Sequence, residues 1–355
     1  MSTLFSPLQA GALSLRNRIV MAPLTRCRAV GAGRVPNSLM RDYYRQRASA
    51  GLILTEATSV TPMGVGYPDT PGIWSDEQVE GWKAITQAVH AEGGTIVLQL
   101  WHVGRISSPD YLDGAKPVAP SAIAAKGHVS LIRPLQDFVE PRALETGEIA
   151  AVVEAFRKGA ENAKLAGFDG VQLHGANGYL LEQFLLDGTN RRTDAYGGSI
   201  ENRARLMLEV TDAAISVWGA DRVGMHLSPR ADLHDMNDSD LPAIFIHVAT
   251  ELGKRKIAFI AARESQAEPR LGPRIKAAFG GVFIANESLD HAAGQKLLDS
   301  GEADAVAFGK LYIANPDLVE RFAAGATLNP WVGDTFYAKG PIGYTDYPAL
   351  ATAAA

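Results

Sequence analysis

Eight short apolar runs alternate with longer stretches whose apolar residues recur at helical spacing, and this alternation limits the fold more than any other feature. The runs are RIVMAP (18–23), GLILTEA (51–57), TIVLQLWH (95–102), FDGVQLH (168–174), RVGMHLS (222–228), KIAFIAA (256–262), GGVFIAN (280–286) and ADAVAFG (303–309). The clearest helical patterns lie between them at 37–49, 75–92, 147–166, 199–218 and 288–299. In the third of these, apolar residues return every three or four positions, and Gly167 stands where a helix-terminating glycine belongs. Strands apolar on both faces and separated by helices imply a parallel sheet covered by helices. Eight such units predict closure into a (β/α)8 TIM barrel rather than an open doubly wound sheet. The 355 residues would also accommodate two domains, but barrels of this kind run as one, so a single domain over 1–355 is expected.

Two segments stand outside the repeat. Residues 1–16 precede the first strand and are expected to form a small capping hairpin that plugs the barrel floor. Residues 103–146, rich in Pro, Gly and Ser, form a long excursion after the third strand and should lie over the catalytic rim. With the loop at 263–275, this excursion is expected to gate the pocket. The terminal ATAAA reads as a frayed end.

Composition excludes several functions. The net charge of −5 argues against nucleic-acid binding, which calls for a basic excess. A single cysteine, Cys27, forms no internal disulfide, thiolate zinc site or iron–sulfur cluster, and suits the reducing cytosol. The N-terminus lacks the layout of a signal peptide, and there is no run of 18 apolar residues. A cytoplasmic protein, a monomer or homodimer with neither membrane nor nucleic-acid partner, is expected.

Barrel active sites lie at the C-terminal strand ends. That rule selects Pro23, Leu24 and Thr25; Glu56 and Ala57; Gln99, Trp101 and His102; His174, Asn177 and Tyr179; His226; Ala285 and Asn286; and Gly309 and Lys310. Polar side chains at a barrel mouth need partners, whether a ligand or each other. This set is mostly amide, hydroxyl and imidazole, which suits a planar ligand with a polar edge. It suits hydrolysis poorly, for it holds no carboxylate pair and no two-histidine metal spacing. Asn286 and the FGK at 308–310 fit a phosphate site, with Gly309 permitting close approach and Lys310 supplying charge, although Gly-Lys after a strand is also a common turn.

At this point the residues match a family. The chain resembles the old yellow enzymes, FMN-dependent ene-reductases, nearly from end to end. The matching pieces are APLTR (22–26), TEAT (55–58), QLWHVGR (99–105), HGANGYLLEQF (174–184), RTDAYGGSIENRAR (192–205), IANPDL (313–318) and GYTDYP (343–348). The resemblance implies non-covalent FMN at the barrel mouth, with NADPH or NADH as reductant and small activated alkenes as substrates. It implies that Pro23, Leu24, Thr25, Ala57 and Gln99 line the flavin ring, and that Ala285, Asn286, Gly309 and Lys310 hold the phosphate end. His174 and Asn177 would bind the substrate carbonyl oxygen and Tyr179 would donate the proton. Tyr67, Trp101 and Tyr347 would shape the substrate pocket.

That chemistry needs these residue types. Hydride transfer belongs to the cofactor, while the protein orients the alkene and stabilises charge developing on its oxygen. Two neutral donors three residues apart at a strand end can share one acceptor. A tyrosine, with pKa about 10, keeps a proton to give at neutral pH. Its place beyond Asn177 predicts anti addition.

Two positions depart from the family pattern. The fifth strand ordinarily ends in an arginine at the pyrimidine edge of the flavin, where this chain has His226. A lower flavin potential is expected unless a nearby cation such as Arg230 compensates. Lys310 stands where an arginine commonly grips the phosphate, so weaker FMN retention is expected. Two other functions compete with this reading: a flavin-free barrel enzyme using Glu56 as its base, and a flavin-binding sensor without turnover.

Overall fold

Residues 2–230 and 233–350 are described by a computed structural model of the protein, and the ATAAA end lies outside them. The chain opens with a hairpin of β1 (Leu8–Ala10) and β2 (Leu13–Leu15), paired antiparallel with Leu8 opposite Leu15. The first barrel strand follows as β3 (Ile19–Met21), then α1 (Ser38–Arg45), β4 (Leu52–Leu54), the short β5 (Thr58–Ser59), α2 (Asp76–Ala91) and β6 (Ile96–Trp101). The excursion contributes β7 (Val118–Ala119) and β8 (Arg142–Ala143), a small parallel pair. The repeat resumes with α3 (Thr146–Leu165), β9 (Gly170–Gly175), α4 (Leu180–Leu185), α5 (Ile200–Trp218), β10 (Val223–Leu227), α6 (Leu241–Arg255) and β11 (Phe259–Arg263). It ends with α7 (Gly272–Phe279), β12 (Val282–Asn286), α8 (His291–Asp299), β13 (Ala305–Phe308), α9 (Lys310–Ala314) and α10 (Leu318–Ala324).

Parallel pairing runs β4–β3–β13–β12–β11–β10–β9–β6, and β4 pairs with β6 to close the ring. The result is a closed eight-stranded parallel barrel, as the alternation predicts. Local chemistry sets the helix ends. Ser75 and Gln78 form a reciprocal capping box at the start of α2. Gly167, at φ +80°, turns the chain after α3 in a conformation that disfavours residues with a Cβ.

The strands are shorter than the apolar runs suggest. The run at 51–57 is a regular strand only to Leu54; Thr55 N–H still donates to Val97 O at 3.0 Å, and the Thr55 hydroxyl then accepts the Gln99 N–H at 3.1 Å. Side chain thereby replaces main chain just where the strand reaches the rim.

The hairpin plugs the floor. Ala10, Leu13 and Leu15 are buried against the inward residues Val20, Leu52, Leu54, Val97, Phe259 and Ile284. At the opposite end, Val103, Ile106, Ala125, Val129 and Phe138 of the excursion pack on Ala57, Trp101 and Tyr179. The long loop therefore lies over the rim.

Candidate active site

Parallel register stacks the site in layers. Gln99 lies opposite Gln172, and two residues nearer the rim His174 lies opposite His226. Side chains alternate along a strand, so each column keeps one face inward. Gln99 Nε2 donates to Gln172 Oε1 at 2.8 Å and to His226 Nδ1 at 3.2 Å. With Nδ1 accepting, the proton of a neutral His226 sits on Nε2. Burial, and secondarily Arg263, push the His226 pKa down to about 3, so the ring is neutral at physiological pH. Burial and then the neighbouring His226 hold His174 well below the usual histidine range. Gln172 Nε2 and His174 Nδ1 are buried without a hydrogen-bond partner among the described residues. Buried orphan polar atoms at a barrel mouth suit a polar-edged ligand.

HGANGY forms a strand-to-helix turn. Asn177, at φ +58°, and Gly178, at φ +78°, are consecutive left-handed residues. Asparagine tolerates that region, while a Cβ at 178 would sit 2.9 Å from His234 Cβ, so glycine is required. The turn is tied on several sides. Asn177 N–H donates to Ser228 Oγ at 2.7 Å, and Ser228 Oγ–H donates to Glu182 Oε1 at 2.6 Å. His234 Nδ1 donates to Asn177 O at 2.7 Å. The turn delivers Tyr179 as the residue capping α4.

Tyr179 is buried in an aromatic cluster. Its ring lies edge-on to His174 and to Trp101, each centroid at 5.0 Å, and its hydroxyl is 2.8 Å from that of Tyr67. Burial, then the nearby Tyr67, hold the phenol pKa well above its ordinary value, so the proton stays on. Tyr67 is tilted against Trp101 at 5.4 Å. The His174 and His226 rings, 5.1 Å apart, join this cluster to a large cleft.

The cleft has a volume of about 740 Å³, within the range of small-molecule and cofactor sites. Pro23, Leu24, Thr25, Asn177, His226, Asn286, Gly309 and Lys310 all line it. Gln99 sits beneath His226, and Ala57 belongs to the aromatic cluster. Ala285 is buried in the core one residue before Asn286. Asn286 Nδ2 donates to Ala307 O at 2.8 Å, which ties the seventh strand to the eighth. A cleft that gathers Asn177, His226 and Arg263 together with Gly309 and Lys310 fits FMN.

Three expectations need correction or replacement. Tyr347 is not among the cleft-lining residues; its hydroxyl accepts the Val332 N–H at 3.0 Å. Phe336, Tyr337 and Trp331 line the cleft from the C-terminal segment instead. Arg230 does not line the cleft either, for its guanidinium donates to the carbonyls of Ala267 and Pro269. The cation beside His226 is Arg263, which the rim rule would have selected had it been applied to the residue after the sixth run. Glu56 donates nothing to the cleft: its carboxylate accepts from Arg26 N–H at 3.3 Å and Tyr44 O–H at 3.2 Å. That placement removes the base needed by a flavin-free lyase.

The C-terminal segment is anchored by arginines from the first rim loop. Arg26 donates to Phe336 O at 3.0 Å and to Gly343 O at 2.8 Å, and Arg28 donates to Thr335 O at 2.9 Å. Tyr43 and Tyr344 stack at 4.0 Å, with the Arg26 guanidinium over both rings. Sequence patterning gave no sign of this clamp, because its two halves are some three hundred residues apart.

Comparison with known proteins agrees with this geometry. The NADH:flavin oxidoreductase / NADH oxidase family matches residues 3–329. The rice (Oryza sativa subsp. japonica) 12-oxophytodienoate reductase 1 is 44% identical, over 98% of this chain and 93% of its own. The old yellow enzyme homologue from Zymomonas mobilis superposes with a TM-score of 0.95 at 45% identity, covering 98% of this chain and 99% of its own. Morphinone reductase in complex with tetrahydroNAD gives a TM-score of 0.95 at 49% identity, over 99% and 98% of the two chains. On sequence, barrel topology and site together, this chain belongs to the old yellow enzyme family of FMN-binding, nicotinamide-dependent oxidoreductases.

Proposed function

We propose that this protein reduces activated carbon–carbon double bonds, those of α,β-unsaturated carbonyl compounds and similar alkenes, with NADPH or NADH as reductant. The observation that carries the reading is the protonated Tyr179 phenol, buried against His174 and Trp101 and two residues from the cleft-lining Asn177. The names of its relatives, reductases of 12-oxophytodienoate and of morphinone, support it.

The chemistry that FMN would supply when bound is hydride relay, from the nicotinamide to the β carbon of the alkene. Pro23, Leu24, Thr25, Ala57, Gln99 and His226 would hold the ring, and Ala285, Asn286, Gly309 and Lys310 the phosphate end. His174 and Asn177 direct neutral N–H groups at the substrate oxygen, where negative charge builds up as the β carbon is reduced. Neutrality of His174 is useful, because an imidazolium would favour the bound anion over its protonation. Tyr179 would give its proton to the α carbon, and delivery from the face opposite the hydride would make the two hydrogens add anti. Tyr67 and Trp101 wall the substrate pocket, and burial under the excursion excludes water.

One barrel carries every residue named, in keeping with a single functional domain. Among the described residues no helix is long and apolar enough to cross a membrane, and the lone buried Cys27 suits the cytosol.

The test mixes FMN-loaded protein anaerobically with NADPH or NADH, then with 2-cyclohexenone. Flavin bleaching in the first step and rapid return of colour with formation of cyclohexanone in the second are expected. Bleaching without reoxidation by the enone would leave a flavin-binding protein lacking this activity, and failure to retain FMN would defeat the reading altogether.

A further inference from the structure

The rim of the cleft carries a charged group that this reading leaves unused. Arg263 is the last residue of β11, whose Ala261 lies opposite His226. Side chains two apart on a strand share a face. Arg263 therefore points to the same side as His226, one pleat nearer the rim, and both line the cleft. Ala261, with only a methyl group, leaves room beneath it.

Arg263 Nη1 donates to Asn177 Oδ1 at 3.0 Å, while its Nε pairs with the Glu287 carboxylate. The other polar atoms of Asn177 are also engaged: its N–H by Ser228 and its carbonyl by His234. Only Nδ2 is left without a partner among the described residues. The guanidinium thus decides which end of the amide is free, and it frees the donor. Arg263 is also one of two cations among the cleft-lining residues; the other, Lys310, lies beyond β13, two strands away. His174 and His226 are neutral, so among the described cleft-lining residues on this side Arg263 supplies the positive charge.

We propose that Arg263 is a positioning residue for both halves of the reaction. It locks the Asn177 amide with its N–H end free for the substrate oxygen, and it holds positive charge against the ring end of the FMN cleft, with Glu287 as counter-ion. The inference rests on the assignment of the cleft to FMN. Reduced FMN carries more negative charge than oxidised FMN, so a nearby fixed cation favours the reduced form.

The experiment compares FMN-loaded wild type with Arg263→Met, Arg263→Lys and the double variant Arg263→Met, His226→Arg. Two quantities are read: the reduction potential of bound FMN against a reference dye, and KM and kcat for 2-cyclohexenone. Arg263→Met should disfavour reduced FMN at least tenfold, about 30 mV for a two-electron couple, and raise KM for the enone about tenfold. Arg263→Lys keeps a point charge but loses the fork that grips both Asn177 and Glu287. It should hold the potential near wild type while KM rises. The double variant returns charge from the neighbouring strand, so the potential should recover while KM stays raised. Either quantity at its wild-type value in Arg263→Met overturns the proposal, as does a wild-type KM in Arg263→Lys. Wild-type protein that fails to retain FMN or to reduce the enone would instead defeat the functional reading, so the two failures are distinguishable.

Discussion

Replacing Glu56 by glutamine changes one ionisable proton and almost no volume. Glu56 is about 1% exposed, sealed behind the second strand by Tyr44 and the Arg26 backbone. Burial pushes its pKa from an ordinary 4.5 to about 7, against opposing hydrogen bonds and the charge of Arg26. The folded protein therefore keeps a proton that the unfolded chain has released between those two values. Stability from this group is complete below about pH 4.5 and is lost as pH rises through about 7. At 1.36 kcal/mol per pH unit, the gap amounts to roughly 3 kcal/mol. Glutamine can accept from the Arg26 N–H and meet the Tyr44 hydroxyl, and it does not titrate. Urea unfolding of both proteins from about pH 4 to about pH 8.5 isolates the effect, since other groups cancel in the difference. Wild-type stability minus variant stability should fall by roughly 3 kcal/mol across that range. A flat difference, or one that rises with pH, would refute the assignment of a protonated buried carboxyl.

Tyr179→Phe should slow enone reduction by about 10²–10⁴-fold while reduction of bound FMN by nicotinamide continues, as stopped-flow of the two half-reactions would reveal. His174→Ala, which removes one donor to the developing charge, should cost about 10²–10³ in kcat for the enone. Arg26→Met removes the donor to Gly343 O and to the Tyr43 hydroxyl oxygen, and leaves Phe336 O with Arg28 as its donor. It should cost roughly 3–5 kcal/mol by urea unfolding and weaken FMN retention, because the released segment carries Trp331, Phe336 and Tyr337. Lys310→Ala should loosen FMN; a dissociation constant equal to wild type would remove Lys310 from the phosphate site.

Much of the fold is legible in the sequence because strands buried on both faces cannot avoid being apolar throughout. All eight runs became barrel strands, and five helical patterns became helices with ends shifted by a few residues. Rim position alone gathered Pro23, Leu24, Thr25, His226, Asn286, Gly309 and Lys310 into one cleft, since a parallel barrel puts every strand's C-terminal end on one side. The substrate-side aromatics came together for the same reason. Tyr347 stands apart from the cleft lining, in an irregular segment held by Arg26 and Arg28 from the far end of the chain.

The sequence by itself therefore determined the barrel, its plugged floor and the rim that bears the chemistry. Periodicity and local backbone preference act over a few residues and can be read without coordinates. Only the tertiary structure decided which charges meet across strands. It put Arg263 rather than Arg230 beside His226, turned Glu56 away from the cleft, and joined Gln99 to His226. Such pairings depend on register between elements far apart in the chain, and a one-residue change in register turns a side chain to the opposite face.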